Sequence, residues 1–240
     1  MNVNLREKNR VSILDEIRRT AWKQIGEKGA ASLSVRGVAR EMGVSATSVY
    51  YYFKDRDGLV TALLIDAFSA FSQALETARN SRKPEDHAGR FQSMCKAYFT
   101  WAAQNPQRYA LLFGTPIPGY LFAKELGPVA QRSFLILQRV IGEAHAAGKI
   151  TGELALIRLP LPLSSQYEKL KKQGMPYAPF ITHLALAVWS MMHGITSLYL
   201  QNYLTGFLQQ DVQAFVDFEI EKITRMLGLS ITKSVNENKK

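Results

Sequence analysis

The sequence predicts an all-α protein: a three-helix helix-turn-helix domain at the N-terminus, then a larger helical domain, with about nine helices in all. Three observations carry this. Two short helical segments, Val35 to Met42 and Ala46 to Phe53, are separated only by Gly43, Val44 and Ser45, the glycine-bearing tight turn that a helix-turn-helix requires. Downstream, apolar residues recur at three- and four-residue spacing through one segment after another. The chain of 240 residues is 47% hydrophobic and 21% charged, the composition of an ordinary globular protein rather than a disordered or fibrous one.

The first helix is expected from Asn9 to Lys28, with Ile13, Ile17, Ala21, Trp22 and Ile25 as its apolar stripe and Gly29 as its end. Arg6, Lys8 and Arg10 in the leading arm suit either phosphate contact or a solvated terminus. Ser34 is placed to accept from the open amides of the second helix, with Leu33 and Val38 spaced as a hydrophobic staple. Ser45, Val44 and Val49 repeat the device for the third.

On that third helix Ala46, Val49 and Phe53 share one face, which leaves Thr47, Ser48, Tyr51 and Lys54 on the other. Such a short polar and aromatic face suits base edges in a major groove. Ser45, Tyr50, Tyr52, Lys54 and Arg56 are then candidates for the flanking phosphates, Arg36 for the DNA backbone or the groove, and Ser34 joins them as a DNA-binding candidate. Successive helical residues are turned by about 100°, so the run Tyr50-Tyr51-Tyr52 cannot all face one core, and a hairpin whose tyrosines only pack on a neighbour does not account for it.

At these residues the sequence resembles the tetracycline-repressor (TetR) family of bacterial regulators. The pattern is met by Leu33, Ser34, Ala39, Gly43, Val44, Ser45, Tyr50, Phe53, Arg56 and Leu59, across roughly the first quarter of the chain. Tyr52 departs from it, since many relatives place His there. The resemblance implies a DNA-binding head, domain 1–57, and a ligand-binding and dimerisation domain, 58–229, joined by a fourth helix acting as a rigid lever. Residues 230–240 read as a disordered tail.

That fourth helix is capped by Asp55 and runs past Leu59, Leu63, Ala67, Phe71, Ala74 and Ala78 to about Arg79. Asn80 to Asp86, with Pro84, is the expected hinge. A fifth helix, Glu85 to Asn105, presents Phe91, Met94, Cys95, Tyr98, Trp101 and Ala102. A short sixth, Gln107 to Phe113, follows the Asn105-Pro106 start signal. Another begins at Pro128 and ends at Gly148. Lys149 to Tyr177, with Pro160, Pro162, Pro176 and a lysine cluster, reads as a mobile flap with a turn of helix near Tyr167, in preference to a second DNA contact.

No charged residue stands between Lys172 and Asp211, so Ile181 to Leu200 invites comparison with a membrane span. Polar Thr182, His183, Ser190, His193, Thr196 and Ser197 along it favour a helix buried in its own domain and against a second subunit. With a last helix, Asp211 to Leu227, it would build a four-helix homodimer interface and no membrane contact. A weaker resemblance, on Trp189, His193 and Gly194 with Tyr98, Asn105-Pro106 and Tyr109 through Phe113, is to the TetR-type C-terminal subgroup named for Trp, His and Gly. Phe91, Cys95, Tyr98, Trp189 and His193 then either line an apolar effector cavity or are core packing around a satisfied histidine.

A net charge of +10 favours an anionic partner, but the surplus is 4 in residues 1–60 and 6 in the rest, so charge does not locate the DNA-binding end. Cys95 is the lone cysteine, which excludes an internal disulfide and a Cys-rich metal cluster, and the polar start MNVNLREKNR lacks the apolar run of a secretory signal. Both fit a cytoplasmic protein. None of the four histidines stands at metal-ligand spacing from another His or Cys, and no GxGxxG, P-loop or GxSxG motif occurs. No catalytic residue, cofactor or metal is therefore expected. The reading is a homodimeric repressor that binds a double-stranded palindromic operator and is released by a small apolar effector. The alternative is a DNA-binding regulator whose second domain serves only dimerisation or a protein partner.

Overall fold

The computed structural model describes residues 5–229, with side chains from Arg10 onward. The expected tail from Ser230, and Arg6 and Lys8, therefore lie outside the described side chains. Among the described residues there is no strand, and the helices are α1 (Leu5–Lys28), α2 (Val35–Glu41), α3 (Ala46–Tyr50), α4 (Arg56–Asn80), α5 (His87–Gln104), α6 (Pro106–Phe113), α7 (Leu126–Ala146), α8 (Leu161–Lys172), α9 (Pro179–Leu200), α10 (Tyr203–Leu208) and α11 (Val212–Met226). The all-helical class is as predicted; α8 and α10 are additions.

Both additions have a local cause. Pro160 and Pro162 fall at the start of α8, where a missing N–H removes no helical hydrogen bond. Tyr167 is buried, and α8 packs along α9. The turn of helix expected near Tyr167 is thus a helix of 12 residues inside the 149–177 segment, and Pro160 and Pro162 are start signals rather than breakers. Asn202, left-handed at φ 61, separates α9 from α10.

The chain packs as two compact units: residues through Ala70 with Asn105–Ala130, and Phe71–Gln104 with the residues from Gln131 on. This differs from the expected cut after residue 57. Fewer than sixty residues bury little apolar surface, and here α6 and its following loop bring Leu111, Leu112, Phe113, Ile117 and Tyr120 onto the first core.

In the first unit that core is built from Ile17, Ala21 and Ile25 of α1, Val35, Val38 and Ala39 of α2, Val49 of α3, and Leu59, Val60, Leu63 and Leu64 of α4. Ile13, expected on the same stripe, is exposed. The turn between α2 and α3 is fixed by hydrogen bonds from Gly43 N to Arg40 O (3.2 Å) and from Val44 N to Ala39 O (3.0 Å). That pairing closes α2 with a left-handed residue, and Gly43 supplies it at φ +70 without a side-chain clash.

In the second unit α5 packs against α9 and α11 around Phe91, Leu184, Met192, Ile220 and Ile223. The predicted α11 stripe, Val212, Val216, Ile220, Ile223 and Leu227, is buried throughout. Gly152 lets two backbones meet: a Cβ there would stand 2.2 Å from Met226 O, while its N–H donates to Leu227 O at 3.2 Å.

α4 serves both cores. Its buried residues run Leu59, Val60, Thr61, Leu63, Leu64, Ala67, Phe68, Phe71, Ser72, Leu75 and Arg79. The expected continuation through Ala74 and Ala78 is only half-buried; Leu75 and Arg79 take the buried positions there. Among the described residues α4, not α9, is the helix long and apolar enough by length and composition to cross a membrane; burial in these two cores accounts for that apolarity.

Candidate nucleic-acid interface and effector site

The reading head is assembled by short-range hydrogen bonds. Ser34 Oγ accepts from Gly37 N at 3.0 Å, Ser45 Oγ accepts from Ser48 N at 3.2 Å, and Asp55 Oδ1 accepts from Gly58 N at 2.7 Å, so α2, α3 and α4 each begin on a side-chain cap. Of the two staples, Leu33 and Val38 are buried, while Val44 of the second is 42% exposed. α1 is tied to α2 through Glu41, which takes Lys23 Nζ at 2.7 Å and Gln24 Nε2 at 3.2 Å. The hydrogen bond from Lys23 holds the Glu41 carboxyl below its ordinary range and raises the lysine in return.

With Val49 buried beneath, α3 turns Thr47, Ser48 and Tyr50 outward, and Tyr51 just beyond its end is 81% exposed. Ser34, Arg36, Ser45 and Lys54 are exposed beside them. Ser45 and Ser48 hydroxyls also meet at 2.8 Å, which fixes their rotamers on the outward face.

Two candidates stand elsewhere. Tyr52 is half-buried against the head core, its ring edge-on to Tyr51 at 5.1 Å. Arg56, expected on a phosphate, points inward: Nε donates to Leu33 O at 3.0 Å, Nη2 to Ala31 O at 3.2 Å and Nη1 to Pro118 O at 3.2 Å. Its place at the head of α4 looked like a basic residue beside a groove; the acceptors come from loops whose path the sequence does not reveal. Exposed Arg40, one helical turn beyond Arg36, was not singled out and adds a cation to α2.

In the second unit Phe91, Cys95 and Tyr98 are buried on α5, whereas Trp189 and His193 are half-buried on α9. Tyr98 and His193 are brought together, Oη to Nδ1 at 3.4 Å, and Ser197 Oγ lies 3.4 Å from Nε2. Trp189 stacks obliquely on His193 and edge-on to Phe134. Burial lowers the His193 pKa and pushes the Cys95 thiol well up, so the imidazole is neutral near pH 7 and the thiol is not a nucleophile. The expected helix from Pro128 is present as α7, but none of its residues is among the sequence-predicted site candidates. Gln138, fully buried there, donates to Thr182 Oγ1 at 2.9 Å, while its Oε1 and the buried Thr196 Oγ1 have no protein partner. A glutamine inside an apolar helical stripe was the available signal. Among the described residues no three His, Cys, Asp or Glu side chains gather as a metal site.

Residues 17–63 match the family described as bacterial regulatory proteins, tetR family, and residues 91–223 match the tetracyclin repressor-like C-terminal domain. The chain is 34% identical over 182 residues to an HTH-type transcriptional regulator of Mycobacterium tuberculosis, covering 73% of this chain and 75% of that protein. Among solved structures it is similar to the regulatory protein SCO4313, with TM-score 0.74, 30% identity and coverage of 92% and 98%. It also shares the fold of FadR from Bacillus subtilis, crystallised with stearoyl-CoA, at TM-score 0.59, 15% identity and coverage of 90% and 100%.

Proposed function

The chain belongs to the tetracycline-repressor family of DNA-binding transcriptional regulators, which are not enzymes, and we propose that it is a cytoplasmic homodimeric repressor released from a palindromic operator by a small, largely apolar molecule. The observation that carries the DNA half is the outward face of α3 and its end. Thr47, Ser48 and a Tyr51 that is 81% exposed stand over a buried Val49, with Arg36 and Lys54 alongside. Tyr51 and the hydroxyls read base edges; Lys54, Arg36 and the cap residues Ser34 and Ser45 take phosphates.

Dimerisation is supported by exposed apolar side chains in the second unit, Leu198 on α9, Tyr203 and Phe207 on α10, and Phe218 on α11. A two-fold dimer sets the two α3 helices about 34–36 Å apart, one duplex turn, hence a palindrome. The effector half rests on polar groups buried along α9: Gln138 Oε1, whose amide holds Thr182 near the start of that helix, and Thr196 Oγ1 near its end have no protein partner, and the Tyr98 and His193 pair lies within one helical turn of Thr196. A ligand that prefers one of two conformers shifts operator occupancy only by its difference in affinity for them. The second reading, dimerisation without an effector, is favoured by the close burial of Phe91, Cys95 and Tyr98, at 0%, 2% and 6% exposure.

Mass spectrometry of compounds carried by the purified protein, followed by footprinting upstream of its own gene with and without them, separates the two. Loss of the footprint supports the effector reading; an unchanged footprint with every bound compound leaves dimerisation alone. On the recovered site, Tyr51→Ala should relax base preference by about 1–3 kcal/mol at one position. Lys54→Ala should weaken all sequences alike and flatten the salt dependence by about one ion.

A further inference from the structure

We propose that Arg56 is a positioning residue that clamps the loop after α6 onto the base of the reading head, and that it governs operator affinity through that clamp rather than by touching a phosphate. All three guanidinium nitrogens donate to backbone carbonyls from two distant stretches: Ala31 and Leu33, which lead directly into the Ser34 cap of α2, and Pro118 in the loop behind α6. A charged donor to a carbonyl makes a hydrogen bond roughly twice as strong as a neutral one. Arg56 does this three times while half-buried.

The loop is shaped to receive it. Pro116 and Pro118 carry no N–H of their own, Gly119 turns the chain at φ +77, and Tyr120 N closes the turn on Ile117 O at 3.1 Å. Further along α4, Thr61 Oγ1 holds Tyr120 Oη at 2.9 Å, and Phe68 meets Phe113 edge-on at 6.2 Å. One helix therefore grips residues 113–120 at three levels, and Arg56 alone of the three also grips the peptides in front of α2. The loop is a third wall of the reading head, and Lys54, exposed two residues earlier, is left to meet the duplex.

Lysine cannot replace this fork, since a point charge reaches one or two acceptors where the planar guanidinium spans three. The inference rests on the DNA-binding reading for its effect on affinity but not for the clamp itself, so the experiment has two arms. Hydrogen exchange of the full-length protein is measured at 31–34 and 114–120 in wild type, Arg56→Lys, Arg56→Gln and Tyr120→Phe. Affinity is measured against salt on a fluorescein-labelled duplex selected from a random library with the wild-type protein, with Lys54→Ala as the phosphate control.

Arg56→Lys should speed exchange in both stretches and weaken binding on the order of tenfold, with the salt slope unchanged. Tyr120→Phe should speed exchange in 114–120 and weaken binding less, also at constant slope. If Arg56→Lys fails to fold, Tyr120→Phe decides by the same criteria. Wild-type affinity and exchange in Arg56→Lys, or in Tyr120→Phe where it must stand alone, overturns the proposal. So does a slope flattened by about one ion in Arg56→Gln with exchange unaltered. A wild type that selects no duplex defeats the DNA reading, while the exchange arm still passes or fails the clamp.

Discussion

The two compact units place their polar groups differently. In the first, the bonds that set the reading face are short-range caps or donations to backbone: Ser34, Ser45 and Asp55 each bond an amide three residues on, and Arg56 bonds three carbonyls. In the second, side chains far apart in the chain meet in the interior. Arg90 Nη1 lies 2.7 Å from Glu143 Oε2, Arg79 joins the same carboxylate, Gln138 meets Thr182, and Tyr98 meets His193. The caps of the face proposed to meet a duplex are thus set by local geometry, whereas Arg56 ties that face to carbonyls distant in the chain. The interior of the second unit is held by paired charges and hydrogen bonds whose removal leaves a buried partner behind.

That asymmetry predicts where a single atom change costs most. Glu143→Ala strips the carboxylate shared by Arg79 and Arg90, whose side chains are 10% and 9% exposed. With Glu143 itself partly solvated, the expected loss is about 2–4 kcal/mol in a urea melt. A loss under about 1 kcal/mol would put the two units on the same footing. In the first unit Ser34→Ala removes one cap and should cost about 1 kcal/mol, with the hydrogen exchange of α2 raised while that of α9 is unchanged. Equal exchange changes in both helices would mean that the cap's effect is not local.

The same contrast explains what the sequence discloses. Gly43, the serine caps and Asp55 are signals within four residues of their targets, so the reading head and its outward face were legible directly. The carbonyl partners of Arg56 are not legible because Pro118 lies 62 positions away, and nothing in a basic residue after Lys-Asp says that it faces a loop. The extent of α8 beyond a turn near Tyr167 is hidden by its prolines, which act as breakers or as starters according to a position that only packing decides. The charge-free stretch did announce α9, and the α11 stripe was plain at three- and four-residue spacing. Which polar atoms they enclose depends on Gln138 from α7, a pairing 44 residues long.

The finest difference between the units is carried by pH. Burial lowers the pKa of His193, so as pH falls the unfolded chain takes up its proton before the folded one does. Its effect on stability is therefore absent above the ordinary histidine range. Stability is lost as pH descends through that range, and the loss stops below the depressed folded value. His193→Gln keeps a hydrogen-bonding side chain beside Tyr98 and Ser197 but cannot titrate. Between about pH 7 and about pH 5 the variant should lose less stability than wild type in parallel urea melts, with near-equal midpoints at the upper end. Because the imidazole is only half-buried, the gap should be the smallest of the effects considered. A variant whose profile runs parallel to wild type throughout would show that His193 keeps its ordinary pKa, and that the interior near Tyr98 is as open to water as the reading face.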